Sequence, residues 1–324
     1  MSGFPRLLAD IGGTNARLAW QEAPGQPMQY VQVLQCHEHP CVFQAICQWR
    51  GEHRLPNPVH AAMAVASAVN SDWVQFTNSP WSFSIRELQS QLGLERLVVV
   101  NDFTALALGL RFIAPHHLQQ IGGVSQKKPF QHEVPVALIG AGTGLGVSGL
   151  LPDQRGGWTA LSGEGGHISL SIHDEQQHQV WWALKSRFGH VSAERVLSGQ
   201  GLVNIHDSLV YGRTGQWPAQ SLTPAQITTL ALAQQDALAR QVVELFCCWL
   251  GAAAGDLALT LGATGGVFIG GGIAPRLADY IPGSGFRRSF EDKGRFAAYL
   301  QPLPVWLINA PISPAMQGAA TLLE

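Results

Sequence analysis

An amide and a carboxylate stand side by side where an apolar run ends. Asn101 and Asp102 follow residues 97–100, which predict a buried strand, and they precede a helical pattern rich in Ala and Leu. Ligands bind at the carboxyl ends of strands in open α/β sheets, so Asp102 could accept a proton from a substrate there. The alternative is that the pair caps the helix, because both side chains accept hydrogen bonds from free N–H groups at a helix start.

A glycine-rich turn near the N-terminus could hold a phosphate group. Residues 7–11 and 16–20 predict two strands joined by Gly12, Gly13, Thr14 and Asn15. Glycine N–H groups can approach a phosphate closely, and a threonine adds a hydroxyl; the alternative is a plain hairpin. Asp10 lies near the end of a buried strand, where a carboxylate needs a partner, and a hydrated cation is a common one.

The same plan of strand, Gly-Thr turn and strand recurs over residues 136–151, with the turn at residues 140–146. The recurrence predicts an internally duplicated α/β fold with a cleft between its halves, in which the two turns hold the β- and γ-phosphates of one nucleotide. Residues 144–149 match G-x-G-x-x-G, but they run into a strand and not a helix, which excludes a dinucleotide-binding motif. The sequence contains no P-loop motif either.

Three further segments contain polar side chains or consecutive glycines that could contact a ligand. Glu164 and His167 have only glycines between them, which predicts a bent loop facing a ligand, with a surface turn as the alternative. Glu194 is a second candidate, although Ser192 could cap a helix there and an acid suits its first turn. A third glycine run lies between a predicted strand at residues 267–269 and a predicted helix start at residues 273–277. A flat group such as an adenine ring could rest on the backbone of these glycines. The alternative is a crowded junction between the strand and the helix. That run is Gly270, Gly271 and Gly272.

Composition limits the class of protein. Of the 324 residues of the chain, 46% are hydrophobic and 13% are charged, which favours a large buried core. The formal net charge of -2 argues against a nucleic-acid or anionic-membrane partner. No export signal precedes the first strand, and the longest apolar run, residues 245–255, is too short to span a bilayer. We therefore expect a cytoplasmic protein whose five cysteines are reduced. The Cys and His residues between positions 36 and 47 fit no standard zinc spacing.

The remaining pattern predicts elements that alternate between strand and helix, as in an α/β chain. We expect strands at residues 31–34, 61–66, 72–78 and 305–309, and helical segments at residues 42–49, 84–92, 102–112, 205–209, 224–251 and 314–323. Residues 286–299 predict a charged loop and a helix.

Taken together, the motifs resemble the bacterial glucokinases, the non-zinc group of the hexokinase and actin-like ATPase superfamily. The resemblance runs from Asp10 to about Ile308 through seven blocks in order: residues 10–18, 101–105, 140–147, 163–167, 189–199, 265–269 and 290–296. It implies a duplicated ribonuclease-H-like (actin-like ATPase) fold of two α/β domains, residues 1–113 plus 308–324 and residues 114–307, with an interdomain cleft. It also implies a cytosolic homodimer that acts in glycolysis.

The resemblance implies ATP-dependent phosphorylation of the 6-hydroxyl of glucose, with roles for matching residues. Asp102 would be the general base, and Asn101, Asp102, Glu164, His167 and Glu194 would bind the sugar hydroxyls. Asp10 would orient a hydrated Mg²⁺. The ATP-binding set would be Ala9, Asp10, Ile11, Gly12, Gly13, Thr14, Gly142, Thr143, Gly144, Gly270, Gly271 and Gly272.

Two departures from the family pattern concern substrate range and the C-terminal region. Residues 67–72 replace the usual Cys-Pro and Gly-Asp pattern near the expected sugar site, and residues 312–318 differ from an Asn-Pro-Gly-type pattern. The alternatives are a kinase of another hexose, a member of the related ROK group, or a non-catalytic sugar sensor of the same fold. A ROK repressor needs a helix-turn-helix before the first glycine turn, where only nine residues precede Asp10. The zinc kinases of that group need a Cys cluster that is absent between Cys47 and Cys247.

Overall fold

The computed structural model describes residues 3–76, 79, 81–125, 129, 130, 132–153 and 156–324. Its strands are β1 (Arg6–Ile11), β2 (Asn15–Gln21), β3 (Gln29–Gln35), β4 (His60–Val65), β5 (Trp73–Gln75), β6 (Ser82–Ser84), β7 (Arg96–Asn101), β8 (Leu118–Gln120), β9 (Val136–Ala141), β10 (Leu145–Pro152), β11 (Trp158–Ala160), β12 (Val267–Gly270) and β13 (Val305–Ile308). Its α-helices are α1 (Val42–Glu52), α2 (Ile85–Leu92), α3 (Asp102–Gly109), α4 (Glu175–Phe188), α5 (Gly199–Thr214), α6 (Pro224–Leu232), α7 (Ala237–Leu261), α8 (Phe286–Glu291), α9 (Ala297–Leu300) and α10 (Ala315–Thr321).

The chain divides into two units, each with its own core. The first consists of Met1–Ile113, Trp158–Ser162 and Ala310–Glu324, and the second of Ala114–Gly157 and Gly163–Asn309. The first unit contains two buried apolar clusters, one under its sheet against α1 and α2 and one between its sheet and α10. The second unit contains a larger cluster centred on α5 and α7.

The first unit is built on a five-stranded sheet in the order β3-β2-β1-β4-β7. β1 pairs antiparallel with β2 and parallel with β4, and β4 pairs parallel with β7. Most side chains of β1 and β4 are fully buried, as expected for central strands covered on both faces. This order brings the carboxyl ends of β1, β4 and β7 to the same edge of the sheet.

The second unit repeats this plan. Its strands lie in the order β10-β9-β12-β13-β8, with β9 antiparallel to β10 and parallel to β12, and β12 parallel to β13. In both units, therefore, a hairpin with a glycine tip is followed by parallel strands. The predicted duplicated α/β fold is confirmed by this topology.

The predicted helix at residues 224–251 is wrong at both its middle and its end. The structure has α6 and then α7, separated at residues 233–236, where Gln234 adopts a φ of 57°. The Asp236 side chain accepts hydrogen bonds from the N–H groups of Leu238 and Ala239 and so starts a new helix. Helix α7 continues to Leu261 and ends at Gly262, which adopts a left-handed conformation.

Several other boundaries differ from the predicted ones. The edge strand expected at residues 72–78 is limited to β5, paired with β6; residues 77 and 78 lie outside the described part of the chain. The helix predicted to reach residue 112 ends at Gly109 and continues as a 3-10 turn, Leu110–Phe112. The helix start predicted at residues 273–277 is a 3-10 turn, Ala274–Leu277.

Helix α7 contains the apolar run expected to be too short for a membrane span. The helix itself has 25 residues, and within the described chain it is the one helix long and apolar enough to cross a membrane. However, 72% of its most apolar window is buried inside the structure, and its buried residues include Cys247 and Cys248. This burial is characteristic of a core helix.

Candidate functional site

Asn101 and Asp102 lie at the carboxyl end of β7, at the start of α3. Asn101 is the N-cap of this helix: its Oδ1 accepts hydrogen bonds from the N–H groups of Phe103 at 2.9 Å and Thr104 at 3.3 Å. The capping interpretation is therefore confirmed for Asn101. Its Nδ2 donates to the carbonyl oxygen of Ser67 at 3.3 Å, which links β7 to the 67–72 loop.

Asp102 is the first residue of α3 and is half-buried. Its Oδ1 accepts a hydrogen bond from the N–H of Phe103 at 2.9 Å. A carboxylate at the first turn of a helix also interacts favourably with the helix dipole. These interactions orient the carboxyl group of Asp102 at the start of α3.

The first glycine turn is tight and is supported from behind. The N–H of Gly12 donates to the carbonyl oxygen of Asn15 at 2.8 Å, which closes the turn. Cys36, which is buried, donates its N–H to the carbonyl oxygen of Thr14 at 2.8 Å, and its thiol contacts the carbonyl oxygen of Gly12 at 3.6 Å. The Cys36 thiol therefore supports the backbone of this turn, a role that the sequence did not indicate.

The flanking strand residues in the predicted ATP-binding set differ in what they can offer a ligand. The side chains of Ala9 and Ile11 are buried in the core, at 0% and 1% exposure, so only their backbone groups can reach a ligand. Asp10 points the other way, as alternation along a strand requires, and lies 3.5 Å from the guanidinium of Arg17. Burial raises the pKa of Asp10, whereas the charge of Arg17 lowers it.

The second and third glycine runs come together inside the second unit. The N–H of Gly142 donates to the carbonyl oxygen of Gly144 at 2.8 Å, so this turn is also closed by a backbone hydrogen bond, one residue shorter than that of the first turn. The backbones of Gly142 and Gly272 lie close together, since a Cβ added to Gly142 would lie 3.7 Å from the backbone nitrogen of Gly272. Gly271 adopts a φ of +83° and leaves no room for a side chain, because a Cβ there would lie 2.2 Å from the carbonyl oxygen of Ala141. The crowded-junction interpretation is thus correct for Gly271, whereas Gly272 faces open space.

The segment with Glu164 and His167 forms one 3-10 turn, Gly165–His167, within the bent loop that the sequence predicted. Both side chains are exposed. The glycines between them pack closely: a Cβ on Gly166 would lie 2.2 Å from the carbonyl oxygen of Leu145. The loop therefore lies flat against the start of β10, with its two polar side chains in solvent.

Glu194 lies in the 3-10 turn Ala193–Arg195, so the alternative, in which the Ser192 side chain caps a helix here, is not what the structure has. Ser192 makes no side-chain capping bond. The Glu194 carboxylate instead reaches across the second unit, where its Oε2 accepts a hydrogen bond from the N–H of Leu145 at 2.9 Å. The sequence could not signal this contact, because it joins residues 49 positions apart.

Within the part of the chain that the structure describes, no group of three or more His, Cys, Asp or Glu side chains is arranged to hold a metal ion. Asp10, the predicted cation ligand, has a half-buried carboxylate, and carboxylate oxygen is the ligand type that Mg²⁺ prefers.

Known proteins match the chain over nearly its whole length. The family model described as Glucokinase matches residues 7–324. A glucokinase from Chromobacterium violaceum is 46% identical over 320 residues, which cover 99% of this chain and 89% of that protein. The crystal structure of a glucokinase from an Antarctic psychrotroph has a TM-score of 0.85 and 33% identity, covering 98% of both chains. A ROK family glucokinase from Streptomyces griseus, solved in complex with glucose and AMPPNP, has a TM-score of 0.62 and 20% identity, covering 98% of this chain and 99% of that one.

The repeated sheet topology, the glycine turns and these structural neighbours define an α/β sugar kinase with the actin-like ATPase fold. Within that class, the chain belongs to the glucokinase family and is an enzyme of that family.

Proposed function

We propose that the protein transfers the γ-phosphoryl group of ATP to the 6-hydroxyl of D-glucose. The observation that supports this most strongly is the match to the glucokinase family over residues 7–324, at 46% identity to one curated relative. In this proposal the protein has two domains: a small one formed by residues 1–113 and 308–324, and a large one formed by residues 114–307. The protein acts in the cytoplasm as a homodimer, in glycolysis, with a sugar and ATP as its partners and neither nucleic acid nor a membrane.

Asp102 is the general base of the proposed reaction. It removes the proton of the sugar hydroxyl as the new O–P bond forms, the role that an aspartate has in other phosphoryl transfers. Its position supports this role, because the start of α3 and the N–H of Phe103 fix its carboxyl group. A base held in place in this way adds no ordering cost at the moment of reaction.

The sugar ligands of the proposal are Asn101, Asp102, Glu164, His167 and Glu194. A hexose presents several hydroxyls, each of which can donate and accept, and amide, carboxylate and imidazole groups match them. Asn101 uses Oδ1 as a helix cap and one amide proton on Ser67, which leaves the second proton of Nδ2 for a sugar oxygen. Glu164 and His167 are exposed and accessible to a ligand.

Backbone groups bind ATP in this proposal. The two closed turns present Gly12, Gly13 and Thr14 and then Gly142, Thr143 and Gly144 to the phosphates, while residues 270–272 meet the adenosine. The approach of Gly142 to Gly272 supports a shared nucleotide site in the second unit. Asp10 orients a hydrated Mg²⁺ through water. When bound with ATP, that ion neutralises charge on the phosphate oxygens.

ADP production with MgATP and a panel of sugars tests the proposal. The panel is glucose, mannose, fructose, galactose and N-acetylglucosamine, and the Asp102→Asn variant is the control. We expect turnover on glucose that the variant loses. Turnover confined to another hexose would keep the fold and mechanism and assign the sugar range to the 67–72 loop, which Ser67 joins to Asn101. If the protein bound glucose but turned over no sugar, the proposed kinase activity would be wrong, and a sugar sensor of the same fold would be favoured.

A further inference from the structure

The backbone of Leu145 joins three segments of the second unit. Leu145 is the first residue of β10, directly after Gly144 of the second glycine turn. Its N–H donates to Oε2 of Glu194 at 2.9 Å, and its carbonyl oxygen lies against Gly166, in the turn that separates Glu164 from His167. The proposed phosphate turn therefore contacts both segments proposed to bind the sugar.

The glycine turn is held from two sides. On one side, the N–H of Gly199 at the start of α5 donates to the carbonyl oxygen of Gly142 at 2.8 Å. On the other side lies the Glu194 carboxylate, so close to Gly144 that a Cβ there would lie 2.5 Å from Oε2. Within the turn, the N–H of Gly142 donates to the carbonyl oxygen of Gly144. The Glu194 carboxylate thus supplies the support at the β10 end of the turn.

The backbone of Glu194 is itself anchored. Its carbonyl oxygen accepts a hydrogen bond from Oγ of Ser198 at 2.9 Å, and the neighbouring Ala193 donates its N–H to the carbonyl oxygen of Ile168 at 2.9 Å. Glu194 is partly accessible, so a ligand can reach its side chain while the main chain stays fixed. A carboxylate has two oxygens, and Oε1 can accept a hydrogen bond from a hydroxyl while Oε2 holds the N–H of Leu145.

We infer that Glu194 is a positioning residue for the nucleotide turn in addition to a sugar ligand, and that the hydrogen bond to Leu145 couples the binding of sugar and nucleotide. The inference rests on the proposed function. A turn already held in one conformation binds phosphates without first being ordered, so loss of this hydrogen bond weakens nucleotide binding even when no sugar is present. A residue that only contacted the sugar would have no such effect.

Calorimetric titration with Mg·AMPPNP in the absence of sugar tests the inference. For Glu194→Ala we expect the dissociation constant of AMPPNP to rise about three- to tenfold, because a hydrogen bond to a charged group is lost while the Gly199 contact remains. Glu194→Gln should bind AMPPNP nearly as wild type does, because the glutamine carbonyl can still accept from Leu145. His167→Ala is the matched control: it should weaken glucose binding and leave AMPPNP binding unchanged.

The reciprocal variant is Gly144→Ala, whose added Cβ displaces Oε2 of Glu194. We expect it to raise the KM for glucose although Gly144 belongs to the phosphate turn, and to raise it less in the Glu194→Ala background. Thermal unfolding of each variant identifies any that fails to fold. If Glu194→Ala is one of these, Gly144→Ala keeps the test valid, because its Cβ displaces Oε2 of Glu194 while Glu194 itself is unchanged.

Two results would overturn the inference alone: AMPPNP binding by Glu194→Ala equal to that of wild type, or an equal loss in Glu194→Ala and Glu194→Gln. A wild-type protein that binds no AMPPNP would instead overturn the proposed function, and the inference with it.

Discussion

The carboxylate of Asp10 and the guanidinium of Arg17 lie 3.5 Å apart, on residues directly opposite each other in the register of β1 and β2. Asp10 lies just before the first glycine turn, and Arg17 lies just after it. Burial raises the pKa of Asp10, and Arg17 opposes that shift. The Arg17 charge thus helps keep Asp10 ionised, the form that can orient a hydrated cation.

Arg17→Gln should move the acid limb of the pH profile of kcat/KM for ATP to higher pH. Without the cation, the pKa of Asp10 rises further, so the carboxylate is protonated over a wider range of pH. The profile is measured by ADP production with saturating glucose. Arg240→Gln, which removes an exposed arginine of the second unit, is the control for net charge. An acid limb that stays at the wild-type pH in Arg17→Gln would separate Asp10 from the reaction.

The same pair predicts a pH-dependent change in stability. Because its folded-state pKa is raised, Asp10 contributes stability that is present below its unfolded pKa and is lost as pH rises through the folded pKa. Asp10→Asn cannot ionise. We therefore expect its Tm relative to wild type to be higher at pH 7 than at pH 3, measured by thermal unfolding. A Tm difference that does not change with pH would contradict this sign.

Asp102→Asn should lower kcat at least about a hundredfold and leave glucose binding and Tm nearly unchanged, since loss of a general base removes chemistry and not packing. Steady-state kinetics and glucose titration separate the two effects. The matched control is Asp236→Asn, the same substitution at an acid that caps α7, where asparagine caps equally well. Normal turnover by Asp102→Asn would show that another group accepts the proton.

The sequence predicted the elements that repeat a strong local pattern and missed the contacts that join distant ones. Both glycine-tipped hairpins were predictable, because apolar runs and glycine turns define them locally. The break between α6 and α7 was not, since Gln234 and Asp236 interrupt an apolar pattern that otherwise continues. Its one signal was Asp236 itself, an N-cap residue type followed by a new apolar stretch.

The candidate site shows the same limit. The residue types were predictable because each of them carries a recognisable chemistry. The role of Asn101 as a cap was predictable as one of two alternatives, because Asn accepts from N–H groups within its own turn. The bond from Leu145 to Glu194 and the support of Gly12 by Cys36 were not predictable, since they depend on how remote segments pack.

Asp72→Asn should lower Tm at neutral pH, and the difference should vanish in acid. Asp72 accepts hydrogen bonds from Oγ of Ser84, the N-cap of α2, and from the N–H of Arg86, and these bonds with the charge of Arg86 lower the pKa of Asp72. A lowered pKa contributes stability that is present above the unfolded pKa and is lost as pH falls through the folded one. Thermal unfolding across pH tests this, with the exposed Asp279→Asn as control. A deficit that persists at pH 2 would assign the effect to packing.

Gly271→Ala and Gly272→Ala should separate a packing requirement from a binding requirement at the third glycine run. Alanine at Gly271 meets the carbonyl oxygen of Ala141 and a φ of +83°, so we expect it to cost about 1–3 kcal/mol of unfolding free energy. Alanine at Gly272 meets nothing within 4 Å and should leave Tm unchanged. Its methyl group would occupy the surface proposed to bind the adenosine, so the KM for ATP should rise. Gly212→Ala, which also meets nothing within 4 Å and lies in α5, is the control for adding a methyl group in open space and should leave both KM values as in wild type. An unchanged KM for ATP in Gly272→Ala would place the adenosine elsewhere.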